Sequence, residues 1–213
     1  MNIIIFGPPG AGKGTQAQNI VNNFNLHQVS TGDLLRIEIK KKTEIGKKIE
    51  QIIAQGDLVS DDIVNELVKK VITNYNYRNR IIFDGYPRNI NQAESLEIML
   101  NGDNQSINFV LFLKVTQEII EKRILGRIIC EKCNKTMNKY FNKKEIDNHE
   151  CGKNYLKKRK EDDQETIIIR YEEYIKKTKP VLDFYSSRRY FHEIDGSEKI
   201  QAITGKIQHI LKV

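Results

Sequence analysis

No stretch of this chain is apolar over the roughly 18 residues that a membrane-spanning helix needs, which argues against an integral helical membrane protein. Cysteine is scarce: three residues in 213, all between positions 130 and 151, which is not the pattern of a disulfide framework. The four histidines are scattered, and no evident Ser/His/Asp set accompanies them. No internal repeat is visible. The first residues run straight into an apolar segment, so the expectation is no secretory or transit peptide and a reducing cytoplasm.

Charge is not lacking. The formal net charge of +7 favours an anionic partner, but nucleotide phosphates, nucleic acid and acidic membranes all qualify, so charge alone does not choose. Charged residues at 30% beside hydrophobic ones at 39% leave enough apolar side chains for an ordinary core. The length suits one core domain carrying insertions.

The stretch Gly7-Pro8-Pro9-Gly10-Ala11-Gly12-Lys13-Gly14-Thr15 organises the rest. It follows the apolar, β-branched run 2–6, which reads as a buried strand, and precedes a helical pattern from Gln16. Strand, glycine-rich turn and helix form the context of a phosphate loop, in which converging backbone N–H groups, the helix start and a lysine hold an anion. The position after Lys13, where a general phosphate loop has Ser or Thr, is Gly14. The hydroxyl comes one residue later, at Thr15.

Further strands are expected at 26–30, 80–84, 108–113 and 190–194. Helices are expected from 31, over 44–54 and 61–74, from Asn89 to Leu100, from Thr116 to about Leu125, over 163–187 with an interruption near Pro180, and over 199–211. Thr31 or Asp33 can cap the second helix, Ser60 the fourth and Thr116 the sixth. Strands alternating with helices predict an α/β fold with a parallel five-stranded sheet covered on both faces. Residues 126–162 break the pattern, being polar, lysine-rich and the seat of every cysteine.

In this order, GPPGAGKGT at 7–15, STGDLLR at 30–36, GDLV at 56–59, DGYPR at 84–88, Gln92, RILGR at 123–127, RKED at 159–162 and Arg170 resemble the adenylate kinase family over essentially the full length. The resemblance implies a phosphate-loop nucleoside triphosphate hydrolase-like core (1–29, 60–125, 163–213), a monophosphate-binding insertion at 30–59 and a lid at 126–162. It also implies reversible transfer of the terminal phosphoryl group of Mg-ATP to AMP, giving two ADP, in a cytoplasmic monomer. The displaced hydroxyl at Thr15 is normal in that family; Tyr86 stands where Phe is more frequent.

Phosphoryl transfer needs two anionic nucleotides in line, their charge neutralised and water excluded. The acceptor phosphate ionises with a second pKa of about 6, so no general base is required and cations carry the catalysis. By resemblance, the loop residues Gly10, Ala11, Gly12, Lys13, Gly14 and Thr15 with Arg127 address the donor phosphates. Arg123 stacks on the donor adenine, and the backbone of Glu198 contacts it. Arg36 and Arg88 grip the acceptor phosphate, while Arg159 and Arg170 clamp the transferring group. Thr31, Gln92, the backbone of Asp57, Leu58 and Val59, and the turn Gly85-Tyr86-Pro87 complete the AMP pocket. Asp84, at a strand end, is either a ligand of Mg²⁺, direct or through water, or a helix or turn cap. The Tyr86–Pro87 bond is a candidate for the cis form.

Cys130-x₂-Cys133-x₁₇-Cys151 resembles three ligands of a structural zinc site. The expected fourth position holds Asn154, a poor ligand, and His149 is the alternative. Zinc through Cys₃His and a metal-free lid with vestigial cysteines both remain open. A nucleotide-binding switch without catalysis would need a missing catalytic cation, and none is missing; two other rival readings stand beside the kinase. One is a kinase for another monophosphate, against which Thr31 and Gln92 speak. The other is a nucleic-acid binder using residues 131–160, which offer only Tyr140, Phe141 and Tyr155 as stacking surface.

Overall fold

Every residue from Asn2 to Phe6 is buried, and their side chains part between two cores: Ile3 and Ile5 on one side, Ile4 and Phe6 on the other. That period-2 division, apolar on both faces, is what a central strand between two helical layers requires. The computed structural model describes residues 1–55, 58–159 and 162–212. Strand β1 (Asn2–Phe6) leads into α1 (Lys13–Phe24), β2 (His27–Ser30), α2 (Thr31–Lys40), α3 (Glu44–Ala54) and α4 (Asp61–Ile72). Next come β3 (Ile81–Asp84), α5 (Ile90–Gly102), β4 (Ile107–Lys114) and α6 (Gln117–Leu125). Strands β5 (Arg127–Cys130) and β6 (Thr136–Asn138), helix α7 (Lys143–Asp147) and β7 (Leu156–Lys157) follow. The chain continues through α8 (Gln164–Glu173), a π-helical turn at Tyr174–Thr178, α9 (Lys179–Ser186), β8 (Phe191–Asp195) and α10 (Ile200–Leu211).

The main sheet has the order β2-β3-β1-β4-β8 with every neighbouring pair parallel, as the alternation of strands and helices predicts. Helices α4, α5 and α9 pack on one face through Val68, Ile72, Leu96, Leu100, Val181 and Tyr185, and α1 and α10 on the other through Ala17, Ile20, Ile203 and Ile207. Each such fully buried aliphatic side chain contributes about 1.5–3 kcal/mol by leaving water. The segment that broke the pattern folds as its own antiparallel sheet, β6-β5-β7.

Two local expectations change and a third is sharpened. The cap of α2 is Ser30, whose Oγ accepts the Asp33 N–H at 3.3 Å, because the neighbouring Thr31 hydroxyl is spent on the Gly85 carbonyl. Ser60 and Thr116 hold the cap positions of α4 and α6, but neither side chain accepts a helix N–H. The helix over 163–187 is broken upstream of Pro180, at the π-turn. A proline, lacking an N–H, cannot continue the i→i−4 ladder, and a wider turn before it absorbs the mismatch.

Candidate active site

The glycine-rich turn, Thr31 and Asp84 with the turn after it lie at the carboxyl ends of β1, β2 and β3, where open α/β sheets bind ligands. Gly12 caps α1 with φ +95°, a left-handed conformation that L side chains reach only with strain, so the turn can close directly onto the helix N-terminus. Lys13 Nζ curls back and donates to the carbonyls of Gly7 at 2.8 Å and Pro8 at 3.0 Å. Burial pushes its ammonium down to about 8; Asp84 opposes this, while Arg88, Arg170 and Arg127 add to it. Four of the expected site residues are therefore in electrostatic reach of one buried amine.

Strand register aligns Asp84 with Ile5 of β1 and Ser30 of β2, setting the carboxylate beside the glycine-rich turn. Asp84 Oδ2 accepts from Gln28 Nε2 at 3.0 Å, a side-chain partner rather than a turn N–H, which speaks against the capping alternative. Burial pushes the Asp84 carboxyl up, against the pull of Lys13. A Cβ at Gly14 would lie 3.3 Å from Asp84 Oδ2, so the residue after Lys13 has little room for a side chain.

Past β3, Gly85 adopts φ +77°, and its carbonyl accepts from both Thr31 Oγ1 and Arg88 Nε at 2.8 Å. The Tyr86–Pro87 bond is cis, as the sequence suggested. Tyr86 is buried, and its hydroxyl donates to Asn65 Oδ1 at 2.5 Å. Burial pushes the Arg88 guanidinium down, with Arg36 adding to the effect. Arg36 donates to Asp33 Oδ1 through Nη2 at 2.6 Å and Nε at 3.2 Å, and Arg159 is within charge range of Asp33. Gln92, buried at 2% exposure, accepts the Arg88 N–H and donates to Asp61. It is no exposed helix residue. Val59 is buried and Leu58 partly so; Asp57 lies outside the described residues.

On the opposite flank, Arg123 Nη1 donates to the Ala11 carbonyl at 3.1 Å. Arg127 holds the buried carboxylate of Asp162, and Arg170 Nη1 stands 3.7 Å from the same carboxylate. The Glu198 side chain is turned to Lys206 at 2.8 Å, away from any phosphate role.

The sequence assigned no role to Gln28, Asp162 or Thr178, and read Asp61 only as part of the Ser60-Asp61-Asp62 helix start. Thr178, on the π-turn, donates to the Arg88 carbonyl at 2.8 Å and so ties that turn to the loop that follows β3. Only Asp162 had a signal, its place in the RKED stretch.

The cysteines form a second centre. Ligand atoms of Cys130, Cys133, His149 and Cys151 all lie within 4.8 Å of one another, with Cys133 Sγ and His149 Nε2 3.5 Å apart. A turn from Cys130 to Lys135, closed by the Asn134 N–H on the Cys130 carbonyl at 2.8 Å, brings the first two together. Burial raises the Cys130 thiol, but hydrogen bonds from the Cys133 backbone and His149 outweigh it and leave the thiol low; burial leaves Cys151 high.

A family model described as adenylate kinase matches residues 5–190. The chain belongs to the adenylate kinase family. It is 59% identical to an adenylate kinase of Pelagibacter ubique over the whole of both chains. Adenylate kinases of Erythrobacter litoralis and Rickettsia rickettsii are 40% and 38% identical, again over the whole of both chains. This adenylate kinase is accordingly a nucleotide-binding phosphotransferase with the phosphate-loop fold, acting between ATP and AMP. Among the described residues, no helix is long and apolar enough to cross a membrane.

Proposed function

We propose that the phosphoryl group passes between two nucleotides whose phosphates meet in the space bounded by Lys13, Asp84, Arg88, Arg127 and Arg170. The observation that carries this is that the other four groups all lie within charge range of one part-buried amine, that of Lys13, which curls back onto the glycine-rich turn. So much buried positive charge is costly unless anions complete it, and two nucleotides supply them.

In this division of labour, Gly10 to Thr15 cradle the donor phosphates with Lys13 and Arg127, while Arg123 and the Glu198 backbone meet the donor base. Arg36 and Arg88 grip the acceptor phosphate, and Arg159 and Arg170 hold the group in flight. Arginine suits these tasks because its planar fork gives paired hydrogen bonds to phosphate oxygens. Thr31, Gln92 and the chain at Leu58 and Val59 recognise the acceptor base beside the Gly85–Pro87 turn. Residues 30–59 act as the monophosphate-binding part and 126–162 as a lid whose closure excludes water.

Adenylate kinases use Mg²⁺, which spreads the charge on the donor phosphates when bound. Asp84 would hold it through water: the carboxylate is buried, reached by Lys13 and left facing a bare Gly14. Zinc in the lid, held by Cys130, Cys133, Cys151 and His149, is supported by the closeness of the four side chains and the low Cys130 thiol. We take the enzyme to be a cytoplasmic monomer acting on free nucleotides. ADP production from Mg-ATP with each monophosphate in turn tests the whole. AMP is the expected best acceptor, and a faster reaction with GMP, CMP or UMP overturns the pocket assignment.

A further inference from the structure

We infer that Asp61 is a positioning residue that fixes which way round Gln92 presents its amide, and thereby separates adenine from hypoxanthine in the acceptor pocket. The inference rests on the proposed reading of Gln92 as a contact of the acceptor base.

Asp61 opens α4, and Gln92 lies in the first turn of α5. Gln92 Oε1 accepts the Arg88 backbone N–H at 2.7 Å, and its Nε2 donates to Asp61 Oδ1 at 2.6 Å. A backbone N–H only donates, and an ionised carboxylate only accepts. Turning the amide over would set N–H against N–H and oxygen against carboxylate, so a single orientation satisfies both neighbours. Asp61 is itself held from the far side. Asn89 Nδ2 lies 2.9 and 3.1 Å from its two oxygens, while Asn89 Oδ1 caps α5 by accepting the Gln92 N–H at 2.8 Å.

After these bonds, the Gln92 amide retains one N–H and one oxygen lone pair, with the nitrogen and oxygen ends held in the order its two partners set. Adenine presents a donor at N6 and an acceptor at N1, the complementary order. Hypoxanthine presents the reverse, an acceptor at O6 and a donor at N1. An amide free to turn over would serve either base; one clamped between a carboxylate and a backbone N–H serves only the first. A buried polar site left mispaired discriminates strongly.

Steady-state kinetics with AMP and IMP as acceptors test this on the wild-type enzyme and on Asp61→Leu, Asp61→Asn, Asn89→Ser and Gln92→Leu. The AMP-to-IMP ratio of kcat/KM is expected to fall about tenfold in Asp61→Leu, chiefly through the two KM values, the equivalent of one hydrogen bond. Asp61→Asn, which keeps an accepting oxygen, should hold the ratio within about threefold of wild type. Equal losses on both acceptors in Asp61→Leu, with the ratio unchanged, mark a merely structural role and overturn the inference. If that variant does not fold, an unchanged ratio in Asn89→Ser, which keeps a helix cap but releases the carboxylate, overturns it instead. A ratio that collapses in Gln92→Leu but not in the Asp61 and Asn89 variants sinks the inference alone. A ratio unmoved by Gln92→Leu sinks the pocket reading with it.

Discussion

Arg127 and Asp162 face each other through a two-point ion pair, Nε on Oδ2 at 2.7 Å and Nη2 on Oδ1, with the carboxylate wholly buried. Arg170 stands on the same carboxylate. One carboxylate thus holds two arginines proposed to serve phosphate, one from the antiparallel segment and one from α8. Removing one partner of a buried pair leaves uncompensated charge, at a cost of about 3–5 kcal/mol. Asp162→Ala should therefore lower the urea-unfolding free energy of the nucleotide-free enzyme by about that much. Saturating ATP, whose phosphates offer the missing anion, should restore part of it. A loss under about 1 kcal/mol would mean the pair is solvated and does not hold the arginines.

Lys13 gives a pH signature. Burial brings its ammonium from 10.5 to about 8, so the free enzyme keeps that proton only below about pH 8. The folded pKa lies below the unfolded one, so the penalty on folding is full below pH 8 and is relieved as pH rises toward 10.5. Binding runs the other way, because phosphate oxygens favour the charged amine. At about pH 9, ATP binding should take up close to one proton through Lys13. Titration calorimetry in buffers of different ionisation enthalpy measures that uptake. Lys13→Met should lack the contribution, and equal uptake in both proteins would refute it.

The parts of this fold carried by repetition were legible in the sequence. Ile3 to Phe6 announce a two-faced strand, and the spacing of Gly7, Gly10, Gly12 and Lys13 announces the phosphate turn. What escaped were single polar residues whose partners are distant. Gln28 reaches Asp84 across 56 positions, and Thr178 reaches Arg88 across 90. No periodicity marks such a residue, and alone it reads as surface. Ser30 shows a subtler limit: two adjacent hydroxyls satisfy the capping rule equally, and the Gly85 carbonyl decides between them by occupying Thr31. Pro180 foretold a break in the helical stretch over 163–187, and the wider turn that makes it carries Thr178, whose hydroxyl donates to the Arg88 carbonyl.

Gly14 separates stability from activity. It lies in the first turn of α1, where Gly→Ala ordinarily stabilises a helix by about 0.5–1 kcal/mol. The added Cβ would sit 3.3 Å from Asp84 Oδ2, inside the gap the proposed Mg²⁺ site uses. Gly14→Ala should leave the unfolding free energy within about 1 kcal/mol of wild type while lowering kcat about tenfold and raising the Mg²⁺ concentration for half activity. A variant equally stable and equally active would show that the gap has no role.

The cysteine–histidine cluster makes the last prediction. Four ligand atoms of the right kinds within 4.8 Å suit a closed tetrahedral zinc site, and such sites supply folding energy outright. The purified enzyme should carry about one zinc per chain. His149→Ala, which removes the single nitrogen ligand of the set, should weaken zinc binding by more than the roughly 10–100-fold that loss of an outer-shell partner costs. Stripping the metal with a chelator should lower the melting temperature of the wild type and move that of the variant less. Because the cysteines lie apart from Lys13 and Arg88 in the fold, zinc loss should act on lid stability before it acts on AMP affinity. Fewer than about 0.1 zinc per chain in protein prepared with zinc present would sink the assignment and leave the three thiols as ordinary side chains of a metal-free lid.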